Sequence, residues 1–99
     1  MKREFKENDF VIHFKYEFKD KDKDQPIEKF LYKIICIGKF TDDLTPMVVY
    51  KRILDNSIWI RRYDEFISEV DKEKYPNSTV KYRFSRCRKE FDNIVSLEE

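Results

Sequence analysis

Few residues in this chain are of a type that does chemistry unaided. There is one histidine, His13, and there are two cysteines, Cys36 and Cys87. A histidine acts as a general base only when a partner orients it and a substrate proton lies within reach. No local motif supplies that partner, so His13 reads first as a structural or surface side chain and second as a ligand contact. Cys36 sits in the apolar run Ile34-Ile35-Cys36-Ile37, and Cys87 shares a helical stripe with Phe91, Ile94 and Val95. Thiols in such patterns pack as small, inert hydrophobes. Asp20, Asp22 and Asp24 imitate the opening of a calcium loop. The loop would next need a glycine and later a bidentate glutamate, and those positions hold Gln25 and Leu31. The interleaved lysines also repel a cation, so no metal site is assigned. The chain's single glycine, Gly38, excludes the P-loop, the dinucleotide fingerprint and the G-x-S-x-G elbow. We therefore assign no catalytic residue, no cofactor and no enzymatic activity.

Recognition chemistry is better represented. Trp59 and Arg61 alternate onto one face of a strand, with Tyr50 on the neighbouring strand. An aromatic ring beside a guanidinium can stack on a flat ligand or a peptide, and it can equally be a core edge with a snorkelling arginine. Residues 81–89, Lys-Tyr-Arg-Phe-Ser-Arg-Cys-Arg-Lys, carry five cations and no acid. Lys81, Arg83, Arg86 and Arg88 could follow a phosphate backbone, or they could be the solvated face of a half-buried strand. The chain as a whole offers no bias toward nucleic acid, because 21 basic residues face 20 acidic ones for a net charge of +1.

These side chains need a scaffold, and 99 residues with 16% aromatics suffice for one domain, residues 1–99. Residues 10–18 alternate, with Phe10, Ile12, Phe14, Tyr16 and Phe18 on one side and Val11 and His13 on the other. That period predicts a strand with one buried face. Residues 19–26 predict a charged hairpin tip. Strands follow at 30–40, 47–53 and 58–63, the last two joined through Asp55-Asn56-Ser57, where Asn tolerates a left-handed backbone. Asp64 predicts an N-cap for a short helix over 64–70. The polar stretch 71–79 reads as loop, 80–84 as a fifth strand and 86–96 as a final helix opened by Ser85. The expectation is a mainly β fold: a small barrel or curled antiparallel sheet of about five strands.

The middle of the chain resembles the bacterial family catalogued as domain of unknown function 1653. His13-Phe14-Lys15 is similar to its first motif, Tyr32 to Gly38 to its second strand, and Thr41-Asp42-Asp43 to its acidic turn. Val48-Val49-Tyr50-Lys51 and Trp59-Ile60-Arg61 match its V-V-Y-R and W-V-R pieces, with Phe66 following. The chain departs from the pattern at Tyr16, at Arg62 and in the long insertion from Glu17 to Lys29, which marks a divergent member. The resemblance implies an SH3-like barrel and no defined activity. It also adds His13 and Lys15 as rim candidates beside Trp59, Arg61 and Tyr50.

The expected function is a non-catalytic binding module for a protein or small ligand. The alternatives are a nucleic-acid or polyanion binder using residues 81–89 and a small-molecule pocket protein or enzyme. The longest apolar run is too short for a membrane span. No export signal opens the chain, so a reduced cytoplasmic location is expected. The expected state is a monomer, or a homodimer paired through an open sheet edge.

Overall fold

A computed structural model of the chain describes residues 4–21, 26–90 and 93–96. Six strands form one antiparallel sheet: β1 (Phe10–His13), β2 (Leu31–Lys39), β3 (Pro46–Arg52), β4 (Ile58–Arg62), β5 (Phe84–Glu90) and β6 (Asn93–Ser96). Their order is β4-β3-β2-β1-β5-β6, so the sheet is open and β4 and β6 are its edges. A 3-10 helix (Phe14–Lys21) follows β1, another (Ile27–Lys29) precedes β2, and a short α-helix, α1 (Tyr63–Phe66), follows β4.

The mainly β expectation holds, and several details differ. The strand predicted over 10–18 stops at His13. There the Lys15 N–H donates to His13 Nδ1 at 3.2 Å, a local bond that turns the backbone out of the ladder. The expected single apolar face is also divided. Val11 is buried in one cluster with Ile34 and Phe84, while Ile12 is buried in another with Leu31 and Cys87. The fifth strand begins at Phe84 instead of Val80, leaving only an isolated bridge between Tyr82 and Glu69.

The largest correction concerns the helix predicted over 86–96. That segment completes β5 and forms β6. Open backbone groups on β1 capture β5, with Phe10 opposite Cys87 and Ile12 opposite Ser85. A partner so far along the chain is invisible to a local periodicity window. Ser85 is accordingly a buried strand residue instead of a helix cap. The short helix after β4 does form, but Arg62 occupies its N-cap position and Asp64 lies inside its first turn, accepting from the Glu65 N–H at 2.8 Å. The charged tip at 19–26 and the calcium-like aspartates lie largely outside the described residues.

β2 lies inside the sheet, and Leu31 and Ile34 are buried on its opposite faces. Coverage ends there, for Ile35, at a bulge between Ile34 and Cys36, and Ile37 beyond it are exposed. The main core lies under α1. Phe66 stacks on Phe84 with centroids 4.3 Å apart, and Tyr50 meets both edge-on at 5.1 and 5.5 Å. Phe5 closes the far side, edge-on to Phe66 at 5.3 Å.

Candidate functional site

The aromatic core extends past Phe84 to the end of β1. His13 is the register partner of Phe84, and its ring lies 5.0 Å from Phe84 and 4.8 Å from Phe14. His13, Phe14 and Lys15 form one wall of a cleft of about 280 Å³. Arg61 reaches it from β4, and Arg83 from the residue just before β5. Val70, Asp71, Lys74 and Tyr75 complete it from the loop after α1. Phe14 and Val70 are buried and give the cleft an apolar floor.

The loop is held by its own polar side chains. Asp71 Oδ1 accepts the Glu73 and Lys74 N–H groups at 3.0 and 3.3 Å, a turn that sets Lys74 and Tyr75 at the rim. The Lys72 ammonium donates to the carbonyls of Ser78 and Val80 at 2.8 and 3.0 Å. Val70 N–H donates to the Lys81 carbonyl and Arg83 N–H to the Ser68 carbonyl, so both ends of the loop are pinned together. Glu17 Oε2 accepts from the Thr79 backbone and hydroxyl at 3.2 and 3.0 Å, tying the loop to the 3-10 helix opposite.

The rim is cationic. Arg61 Nε donates to the Tyr50 hydroxyl at 3.4 Å, and its Nη1 lies 3.9 Å from Glu65. Arg83 Nε donates to Ser68 Oγ at 3.2 Å, which fixes the guanidinium while leaving its terminal nitrogens for another acceptor. A hydrogen bond from Lys15 holds the Tyr75 hydroxyl below its ordinary pKa, with Lys74 and Arg83 adding to the effect. Among the described residues, Lys15, Lys74 and Arg83 have no carboxylate within 4.0 Å.

His13 is the neutral member. Burial, with the nearby charges of Lys15, Arg61 and Arg83, lowers its pKa from 6.5 to about 4. Because Nδ1 accepts the Lys15 N–H, the proton of the neutral ring is placed on Nε2, making that nitrogen a donor. A base this weak is poorly matched to proton abstraction near neutral pH.

The structure gathers His13, Lys15 and Arg61 from the aromatic/arginine group and adds Arg83 from the basic stretch. It leaves Trp59 outside. That ring lies against the Arg52 guanidinium at 5.4 Å and donates from Nε1 to Ser57 Oγ at 2.7 Å. Tyr50 is buried core that touches the site only through its hydroxyl. The basic stretch does not form one row. Lys81 lies by the Tyr82 ring, and Arg86 lies 6.0 Å from the Phe5 ring in a hollow shared with Glu4, Lys6 and Asp9. The side chain of Arg88 is outside the described residues.

Sequence reasoning missed Asp71, Lys74 and Tyr75, which lie in a stretch read as solvated loop. Tyr75, an aromatic ring in an otherwise polar segment ahead of Pro76, was the available signal. Cys87 lines the second hollow, and burial pushes its thiol up to about 12. Among the described residues no group of three or more His, Cys, Asp or Glu could hold a metal ion, and no helix is long and apolar enough to cross a membrane. No curated protein matches the chain, and no solved structure does. Residues 10–86 match the model of the family described as Protein of unknown function (DUF1653), and the chain belongs to that family.

Proposed function

We propose that this protein is a non-catalytic binding module whose cleft takes the anionic group, phosphate or carboxylate, of a small ligand. The observation that carries this reading is the rim: Lys15, Arg61, Lys74 and Arg83 surround an apolar floor, with Asp71 as the one acid lining the cleft and Glu65 beside Arg61. Lys15, Lys74 and Arg83, which no carboxylate among the described residues neutralises, retain donors for an incoming anion, and charge-assisted bonds to it are about twice as strong as neutral ones. His13 supports the reading as a neutral donor. The non-catalytic part rests on the same histidine, too weak a base, and on a thiol at Cys87 too buried to ionise. We place the protein in a bacterial cytoplasm. The family resemblance supports the source, and two free thiols, Cys36 and Cys87, fit a reducing compartment.

The test is an amide NMR titration of the full chain with inorganic phosphate, acetate, a mononucleotide and a short oligonucleotide at two salt concentrations. The expected shifts cluster at residues 13–15, 61, 74–75 and 83. Lys74→Ala, which removes an exposed rim charge, should weaken binding roughly tenfold, about 1.4 kcal/mol. Absence of shifts with every probe, or binding indifferent to both Lys74→Ala and Arg61→Ala, would overturn the proposal. Steeply salt-dependent oligonucleotide shifts spreading over Lys81, Arg86 and Arg88 would replace it with a polyanion surface.

A further inference from the structure

The strand that carries Arg61 ends the sheet, and its outer side has no partner among the described strands. Natural edge strands are ordinarily guarded by proline, a bulge or inward charge. β4 has no proline, and its pairing with β3 runs without a register shift. Ile58, Trp59 and Ile60 are 57%, 44% and 64% exposed.

The direction of its backbone groups follows from the ladder. Arg52 N–H donates to the Ser57 carbonyl, so the hydrogen-bonded positions facing β3 continue at Trp59 and Arg61. The backbone groups of Ile58 and Ile60 and the N–H of Arg62 therefore point away from the sheet. We propose that β4 pairs antiparallel with β4 of a second copy of this chain, about a two-fold axis at Ile60.

Register and charge single out this occupant. With Ile60 opposite Ile60, each Ile58 faces the partner's Arg62 and each Trp59 faces the partner's Arg61. The two Ile60 residues then exchange both of their bonds, each Arg62 N–H meets the partner's Ile58 carbonyl, no like charges are opposed, and each Arg61 guanidinium meets the partner's Trp59 ring across strands. A slip of two residues one way would bring Arg61 onto the partner's Arg61. A slip the other way would run the ladder into Asn56, whose φ of 58° is not extended. On the opposite face, Cys36, Val49 and Ile60 already share one row across β2, β3 and β4. The two-fold doubles that row into a continuous apolar strip.

Sedimentation equilibrium of the full chain from micromolar to millimolar concentration tests the pairing, with Ile60→Lys and Ile60→Pro as variants. The lysine sets two ammonium groups against each other at the axis. The proline removes an N–H that points away from β3 and so spares the existing ladder. We expect a monomer–dimer equilibrium that either substitution weakens at least tenfold, with circular dichroism unchanged. In the wild type, exchange of the Ile60 and Arg62 amides should slow as concentration rises. A chain that is monomeric throughout the range, or a dimer indifferent to both substitutions, would overturn the proposal.

Discussion

Tyr50 and Trp59 are register partners on the same face of neighbouring strands, yet one is 4% exposed and the other 44%. Their neighbours repeat the contrast: Val48 is fully buried, and its partner Arg61 is not. The difference is one strand position. α1 and the loop after it fold over β3, β2 and the start of β5, bringing Phe66 onto Tyr50 and Phe84, and their cover thins at β4. The inner row became structure, and the outer row was left for contacts. An aromatic residue's type therefore says little about its role until the covering element is placed.

The contrast predicts unequal costs. Phe66→Ala removes the ring that Phe5, Tyr50 and Phe84 all touch. Deleting a ring from a site this well packed should cost roughly 3–5 kcal/mol in urea unfolding. Trp59→Ala loses only its packing on Arg52 and its bond to Ser57, and should cost no more than about 1 kcal/mol. Equal losses from the two substitutions would break the comparison.

At the opposite margin of the same face, His13 is half-buried in its neutral form. Its folded pKa, about 4, is below the 6.5 of the unfolded chain, so the unfolded state binds the extra proton. Stability from this group is therefore complete above pH 6.5, declines as pH falls toward 4, and levels below that. The loss should approach roughly 3 kcal/mol at most. The measurement is the stability difference between wild type and His13→Gln across that window, which cancels the carboxylates common to both. A difference that does not change with pH would show that the cleft margin is open to water like the β4 edge.

How much of this was legible beforehand depends on the range of the interaction. Alternation and turn chemistry place β2, β3 and β4, and Asn56 takes up the left-handed backbone expected of its turn. The hairpin from Phe84 to Ser96 was read as strand then helix, because its pairing partner, β1, lies more than seventy residues earlier. Part of the candidate site was visible through His13, Lys15 and Arg61, residues already notable by type. Their meeting with Lys74, Tyr75 and Arg83 depends on the pinned loop, whose polar residues gave no periodic signal.

The two turns flanking β3 sharpen the lesson about local fit. Asn56 and Leu44 both have positive φ, 58° and 62°. Asparagine tolerates that region; leucine pays for it sterically. Leu44 is 64% exposed and returns little packing. Leu44→Gly should raise stability by about 0.5–1 kcal/mol, whereas Asn56→Leu should lower it by a similar amount. Thermal unfolding of the two variants measures both signs in one experiment.

The smallest expected effect is the most informative about the outer row. Ile58 is 57% exposed, and its outward backbone groups contribute nothing to the ladder with β3. In dilute solution Ile58→Ser should change stability by less than about 0.5 kcal/mol, as for surface positions generally. Self-pairing makes that number depend on concentration, since any partner that binds only the folded chain raises its apparent stability by mass action. Wild type should then gain melting temperature with concentration, and Ile58→Ser should gain less, so the two curves separate only at the concentrated end. A constant gap would mean that Ile58 acts within its own chain, and the outer row would have to be counted with the inner one.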